Sequence, residues 1–330
     1  MSTLSRHRGV TGVSGAVRLL GAGDIRDIAG RLGVHPTKKL GQNFVVEPGT
    51  VRQIATLAAV RPGDVILEVG PGLGSLTLAL LEAVVAAAAP AFTDGICGTA
   101  QHAGEGARPL GPQDIPMRLV AVEIDPVLAS ELPLTIAARA PELSGRVTVL
   151  TADALAIGER EIGAPAPTVL AANLPYNVAV PVVLHLLATL PSLRRGVVMV
   201  QAEVADRMCA GPGSRVYGIP SAKLAWYAEA RPAGTVPRGV FWPVPNVDSK
   251  LVAFTRREPP AATVSREEVF GVIDAAFGQR RKTLRAALAT WAGSAAEAEH
   301  ALRAAGVDPG ARGETLTVAD FARIAEARRG

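Results

Sequence analysis

The chain has 330 residues, 48% hydrophobic and 19% charged, which is apolar mass enough for about two domains and rules out wholesale disorder. Cys97 and Cys209 lie far apart without metal-ligand spacing, which excludes a disulfide framework and a zinc ribbon and points to the cytoplasm. The net charge of +4 is uneven: residues 1–60 hold eight Lys and Arg against three Asp and Glu, residues 61–230 eleven against sixteen, and residues 231–330 fifteen against eleven. An acidic, ligand-binding middle between basic flanks that meet a polyanion fits this distribution, with plain scatter of solvated charge as the alternative.

In chain order, the N-terminal residues carry scattered arginines and no apolar run with a cleavage site, so no secretory signal is expected. Val65–Gly70 is a short apolar run ending in Gly-Pro-Gly, which reads as a buried strand and a tight turn. Ser75–Ala89 reads as a helix. The run from Leu76 to Phe92 is apolar, but it is short, alanine-rich and carries Glu82, so it reads as a buried helix and not as a membrane span. Residues 86–117 then lose any period and read as a surface insertion. Leu119–Glu123, Val147–Leu150 and Val169–Ala172 are further buried strands, Val180–Leu190 a helix and Gly196–Gln201 another strand. Short apolar strands separated by helices indicate an α/β fold with a doubly covered parallel sheet. After the Pro259-Pro260 hinge, amphipathic stretches at 265–276, 280–291, 295–305 and 317–328 read as a small all-helical domain, and Ser265 with Glu268 resembles a capping box. The expected division is an extension at 1–37, a sheet domain at 38–262 and a helical domain at 263–330.

Glu68-Val69-Gly70-Pro71-Gly72-Leu73-Gly74 is the strongest local signal. A glycine turn after the first strand lets a ligand approach the backbone, and Ser75 stands where a dinucleotide fingerprint needs its third glycine. The charge of Glu68 disfavours a phosphate there and suits a cationic ligand, directly or through water. Glu123 ends the second strand, where a carboxylate accepts both ribose hydroxyls of an adenosine. Asp153 follows the third strand and can accept an adenine amine. Either acid alone reads equally well as a helix cap. The ordered set describes a site for S-adenosyl-L-methionine.

Asn173-Leu174-Pro175-Tyr176 follows the fourth strand, at the mouth of the crevice. An exocyclic adenine amine is a poor nucleophile because its lone pair is delocalised into the ring. Two acceptors aimed at its hydrogens, the Asn173 side-chain oxygen and the Leu174 carbonyl, favour a pyramidal nitrogen and release the pair toward a methyl sulfonium. Pro175 fixes the backbone and Tyr176 can stack on the purine and hold it out of its helix. A proline turn beside a core tyrosine is the alternative.

These motifs resemble those of the bacterial 16S rRNA adenine N6-dimethyltransferase family. The resemblance runs from about Lys38 to Phe321 and includes Leu40-Gly41-Gln42-Asn43-Phe44, Gln201-Ala202-Glu203-Val204, Tyr217-Gly218, Phe241 to Ser249 and Gln279 to Arg285. It implies a Rossmann-like class I methyltransferase sheet with a C-terminal helical domain. The implied activity is transfer of methyl groups to N6 of two adjacent adenines in the 3′-terminal hairpin of 16S rRNA within the assembling 30S subunit. The resemblance further implies cofactor contacts at Asn43, Val45, Gly70, Gly72, Glu123, Asp153 and Asn173, and a base sandwich between Tyr176 and Phe241. Read from the residues alone, Phe241 serves equally as core.

Arg280, Arg281, Lys282 and Arg285 place four cations in six residues, read as a basic helix on rRNA phosphates or as a solvated face. Lys38-Lys39 reads the same way. His185 reads as a satisfied core residue. No metal, no membrane contact and a monomer are expected. The insertion puts Glu123 about fifty positions after Gly72, where a nucleotide fold expects about twenty. If it loops out, the strand register survives; if it displaces the second strand, the ribose assignment fails. A 23S rRNA enzyme of the macrolide-resistance type and a non-catalytic assembly factor are the competing readings.

Overall fold

Short β-branched runs separated by helical stretches build the scaffold. The computed structural model describes residues 17–34, 43–93, 112–175 and 177–329, so Lys38, Lys39, Tyr176, Cys97 and the centre of the insertion lie outside the described residues. In chain order the elements are α1 (Ala22–Arg31), β1 (Phe44–Val45), α2 (Pro48–Ala58), β2 (Val65–Val69), α3 (Ser75–Thr93), β3 (Arg118–Glu123), α4 (Pro126–Arg139), β4 (Val147–Thr151), α5 (Glu159–Ile162), β5 (Val169–Asn173) and α6 (Ala179–Thr189). They continue with β6 (Arg195–Gln201), α7 (Ala202–Cys209), α8 (Ile219–Tyr227), β7 (Ala228–Val236), β8 (Phe241–Trp242), β9 (Ser249–Arg256), α9 (Arg266–Gly278), α10 (Leu284–Ala287), α11 (Ala289–Ala292), α12 (Ala295–Ala304) and α13 (Val318–Ala327). The chain divides into two compact units, the first formed by residues up to Asp153 with Pro167–Ala172 and Gly239–Val244, the second by Ala154–Ala166, Asn173–Arg238 and the chain from Pro245 onward.

In the first unit β4, β3, β2 and β5 lie side by side and parallel, the Rossmann-like arrangement that buried apolar runs favour. The insertion leaves the strand register intact. β2 and β3 pair without a slip from Val65 opposite Arg118 to Val69 opposite Val122. Its first residues are helical, because α3 runs on through the alanines to Thr93, alanine being the best helix former. Leu78, Leu80, Leu81 and Val84 of α3 are fully buried, and Glu82 is turned to an ion pair with Arg52 of α2 at 2.7 Å. Among the described residues no helix is long and apolar enough to cross a membrane.

Residues 17–34 are tied to α4. The Arg18 guanidinium donates to the Ala138 carbonyl at 2.6 Å, Asp24 pairs with Arg139 at 2.5 Å and Arg31 with Glu131 at 2.6 Å, while Ile25 and Ala29 are fully buried. This part of the chain, to which the sequence attached no role, is a helical clasp on the sheet unit.

In the second unit β6, β9 and β7 form antiparallel pairs. β7 and β9 have no clean alternation and escape a reading by period, since β9 is buried on both faces over Leu251–Phe254 and β7 carries Pro232 and Gly234 at a bulge. α9 starts at the expected cap: the Glu268 N–H donates to the Ser265 hydroxyl and the Ser265 N–H to the Glu268 carboxylate. The basic run is not a helix. Residues 279–283 form a turn closed by the Lys282 N–H on the Gln279 carbonyl at 2.8 Å, and α10 begins only at Leu284. His185 is satisfied by the Ile157 carbonyl at 2.8 Å, as a core histidine should be.

Candidate active site

The carboxyl ends of β4, β3 and β2 carry, side by side in the first unit, Asp153, Glu123 and the glycine turn, and the chain passes to the second unit at Asn173, the last residue of β5. Open α/β sheets bind ligands at this edge because loops diverge there and helix N-termini face it.

The glycine turn is held from two sides. The Gly70 N–H donates to the Val122 carbonyl at 2.9 Å, and the Gly72 N–H donates to Glu123 Oε2 at 3.0 Å. Gly72 has φ +57° and Gly74 φ +98°, conformations that strain any residue with a Cβ. A Cβ on Gly72 would also come within 3.1 Å of the Phe44 ring. The Phe44 ring in turn stacks on Trp242 at 6.3 Å, and Val45 pairs with Phe241.

Ser75, the residue that breaks the dinucleotide pattern, has a structural task. Its hydroxyl donates to the Val45 carbonyl at 2.9 Å and fastens the segment bearing Asn43 and Val45 to the start of α3. The Val46 N–H reaches the Val240 carbonyl at 2.8 Å, so β1, β8 and the glycine turn are one construction. No spacing rule in the sequence links positions 45, 75 and 241. Phe241 is buried, at 3% exposure.

Glu123 is 6% exposed, and its second oxygen accepts the Asp125 N–H at 3.0 Å. Burial raises its pKa, and the N–H groups oppose that rise. The helix-cap reading does not hold for it: α4 is capped by Asp125, whose carboxylate accepts the Val127 N–H at 2.9 Å, with Pro126 at the first helical position. Each Glu123 oxygen keeps a lone pair beyond the N–H it already accepts, so the group retains acceptors for a pair of hydroxyls. The Ala152 N–H donates to the Glu123 carbonyl at 3.0 Å and brings exposed Asp153 to the neighbouring strand end. No α-helix starts at Asp153; a turn follows it. Ile124, 58% exposed beside Glu123, offers an apolar ledge for a planar ring. An adenosine thus meets acceptors, an apolar ledge and a close backbone here, which fits S-adenosyl-L-methionine.

Glu68 does not offer the charge expected of it. It is fully buried, one oxygen accepts the Thr77 hydroxyl at 2.7 Å, and Oε1 has no partner among the described residues. Burial first, with the neighbouring Glu123 adding to it, raises its pKa to about 8, so the carboxyl is mostly protonated at neutral pH. An unfolded chain ionises Glu68 near 4.5 while the folded chain keeps the proton to about 8, so this group's contribution to stability falls as pH rises between those values. Glu68→Gln removes the titration. Urea unfolding at a series of pH values should show the variant gaining on the parent across that window, and a constant difference would contradict a neutral Glu68.

Asn173 ends β5, Leu174 is buried with its N–H on the Met199 carbonyl at 3.0 Å, and the Val178 N–H returns to the Pro175 carbonyl at 3.2 Å in a turn leading to α6. The peptide carrying the two proposed acceptors is therefore fixed. The four basic positions differ. Arg280 is tied to Glu314 at 3.1 Å and to the Arg215 carbonyl at 2.5 Å, and Arg285 to Glu299 at 2.7 Å. Among the described residues Arg281 and Lys282 are exposed and in no ion pair. Among the described residues no group of three or more His, Cys, Asp or Glu gathers as a metal site would.

The profile of a family described as ribosomal RNA adenine dimethylase matches residues 35–88 and 106–328, and its gap falls within the insertion. The ribosomal RNA small subunit methyltransferase A of Thermobifida fusca (strain YX) is 59% identical over 315 residues, 96% of this chain and 98% of that one. Among solved structures, a dimethyladenosine transferase from Plasmodium falciparum superposes with a TM-score of 0.61 at 22% identity, over 84% of this chain and 94% of that one. The 23S rRNA methyltransferase ErmE gives 0.57 at 24%, over 87% and 100%. These two likenesses carry the fold.

Proposed function

The chain belongs to the ribosomal RNA adenine dimethylase family, and from that premise we propose that it methylates N6 of two adjacent adenines in the 3′-terminal hairpin of 16S rRNA, within the assembling 30S subunit. The observation that carries this reading is the order of the strand ends in the first unit, with Asp153, Glu123 and the glycine turn on adjacent parallel strands.

The cofactor supplies an electrophilic methyl group on a sulfonium sulfur. Glu123 would accept its ribose hydroxyls and Asp153 its adenine amine, Gly70 and Gly72 would let it approach the backbone, and Asn43 and Val45 would contact it. The Asn173 oxygen and the Leu174 carbonyl accept the two N6 hydrogens of the target adenine and free its lone pair. Tyr176 stacks on the purine, and Phe241 takes the other face once the entering base has uncovered it. As the nitrogen–carbon bond forms, the carbon–sulfur bond breaks. The acidic methylated ammonium then gives its proton to solvent water, so no general base acts before attack, and positioning carries much of the rate. Repetition on the same nitrogen gives N6,N6-dimethyladenosine.

Small subunits lacking these methyl groups, incubated with tritiated S-adenosyl-L-methionine, test the proposal. Label in N6,N6-dimethyladenosine of 16S rRNA is expected; label confined to 23S rRNA or to another nucleoside overturns it. Arg281 and Lys282 are the phosphate contacts. Neutralising both should weaken subunit binding and lower its salt slope by roughly 1.5, as loss of two phosphate contacts requires. An unchanged slope would return the turn to a solvated surface.

A further inference from the structure

Beside the basic turn lies a notch of about 200 Å³ within the second unit, lined by Arg207 of α7, Val216 and Pro220 at the start of α8, Phe277 near the end of α9, and Arg280. We propose that this notch receives one unstacked nucleotide of the rRNA, its base on the Val216–Phe277 floor and its phosphate on the Arg207 guanidinium, with Arg280 held by Glu314 as the opposite wall. The proposal rests on the rRNA reading above and adds a second contact away from the target adenines.

The chemistry of the lining favours that ligand. Val216 is one of few large apolar side chains left exposed, at 42%. An apolar floor rimmed by two arginines suits a flat ring carrying negative charge, and proteins recognise RNA largely by stacking splayed bases on aromatic and guanidinium planes. The notch is too small for a partner helix, which is about 10 Å across.

The lining is also held in place. Arg280 donates to the Glu314 carboxylate and to the Arg215 carbonyl, and the Glu314 carbonyl accepts the Gly213 N–H at 2.7 Å, so one residue ties the 211–216 loop to the basic turn. Tyr217 is buried between them, its hydroxyl donating to the Leu316 carbonyl at 2.9 Å and its ring edge-on to Phe277 at 5.8 Å. Arg207, by contrast, is paired among the described residues only with Glu203 one helical turn away, with both side chains more than half exposed, a contact weak enough for a phosphate to replace. Arg281 and Lys282 stand next in the chain to deliver the adjoining backbone.

Val216→Asp puts a negative charge on the floor at an exposed position, so folding should be unaffected, which a thermal melt checks. Binding to undermethylated small subunits is expected to weaken about tenfold, the loss of one stacked base, while affinity for S-adenosyl-L-methionine stays the same. Val216→Ile should bind as the parent does. Base-specific chemical probing should show one rRNA nucleotide protected by the parent and reactive with Val216→Asp. Equal affinity and equal protection for Val216→Asp and the parent overturn the notch, as does a contact that crosslinking assigns to a ribosomal protein. If Arg281 and Lys282 neutralisation weakens binding while Val216→Asp does not, the notch alone fails; if the parent binds no rRNA at all, the rRNA reading fails with it.

Discussion

Asn173→Ala is expected to lower methyl transfer by roughly two orders of magnitude or more, with the affinity for S-adenosyl-L-methionine little changed. Loss of one preorganised hydrogen-bonding group aimed at developing charge costs about 3 kcal/mol of transition-state stabilisation in other enzymes. The adenine amine demands such help because its lone pair is in the ring until an acceptor draws on its hydrogens. Asn173 is suited to the task by its place at the end of β5, followed by a peptide whose N–H is already fixed on the Met199 carbonyl at 3.0 Å. Single-turnover transfer of tritium to undermethylated subunits measures the rate, and calorimetry the cofactor affinity. Asn173→Asp keeps an acceptor oxygen and should retain more activity than the alanine variant. Near-normal turnover by Asn173→Ala would remove amine polarisation from the mechanism.

Glu123→Ala should weaken cofactor binding at least tenfold. The carboxylate accepts the Gly72 and Asp125 N–H groups, each at 3.0 Å, in a site where only 6% of the residue is exposed. Its loss removes the proposed ribose acceptor and also leaves two N–H groups without their partner, and hydrogen bonds to a charged group contribute about 1.5–3 kcal/mol each. The turn carrying Gly70 and Gly72 loosens as a consequence, so the effect should exceed that of Asp153→Asn at the exposed neighbouring strand end. Titration calorimetry at equal folded fraction, checked by thermal melting, gives the answer. An unchanged dissociation constant would take the ribose away from Glu123.

The positions of several of these residues were legible in the chain itself. The glycine turn, Glu123, Asp153 and Asn173 all follow apolar runs, and a buried parallel strand announces itself by such a run. The alanine-rich stretch after Ser75 is a helix, buried over Leu76–Leu81, and it extends into the insertion to Thr93. Two readings changed for a shared reason, that neighbours distant in sequence set the environment. Glu68 looks like a charge at a strand end, yet complete burial with a single hydroxyl partner leaves it mostly neutral. The basic run 280–285 looks like one cationic helix, yet Glu314 and Glu299 claim its first and last arginines and the run forms a turn.

What the residues alone determined is the order of chemical groups along the chain, because strand, turn and helix preferences are local and place each acid or amide at a predictable strand end. Only the tertiary structure decided which of those groups remain charged, which cations stay available and how the 43–45 segment is fastened through Ser75 to the glycine turn. Desolvation, ion pairing and strand register depend on contacts between residues from nine to about two hundred positions apart, and no periodic pattern carries them.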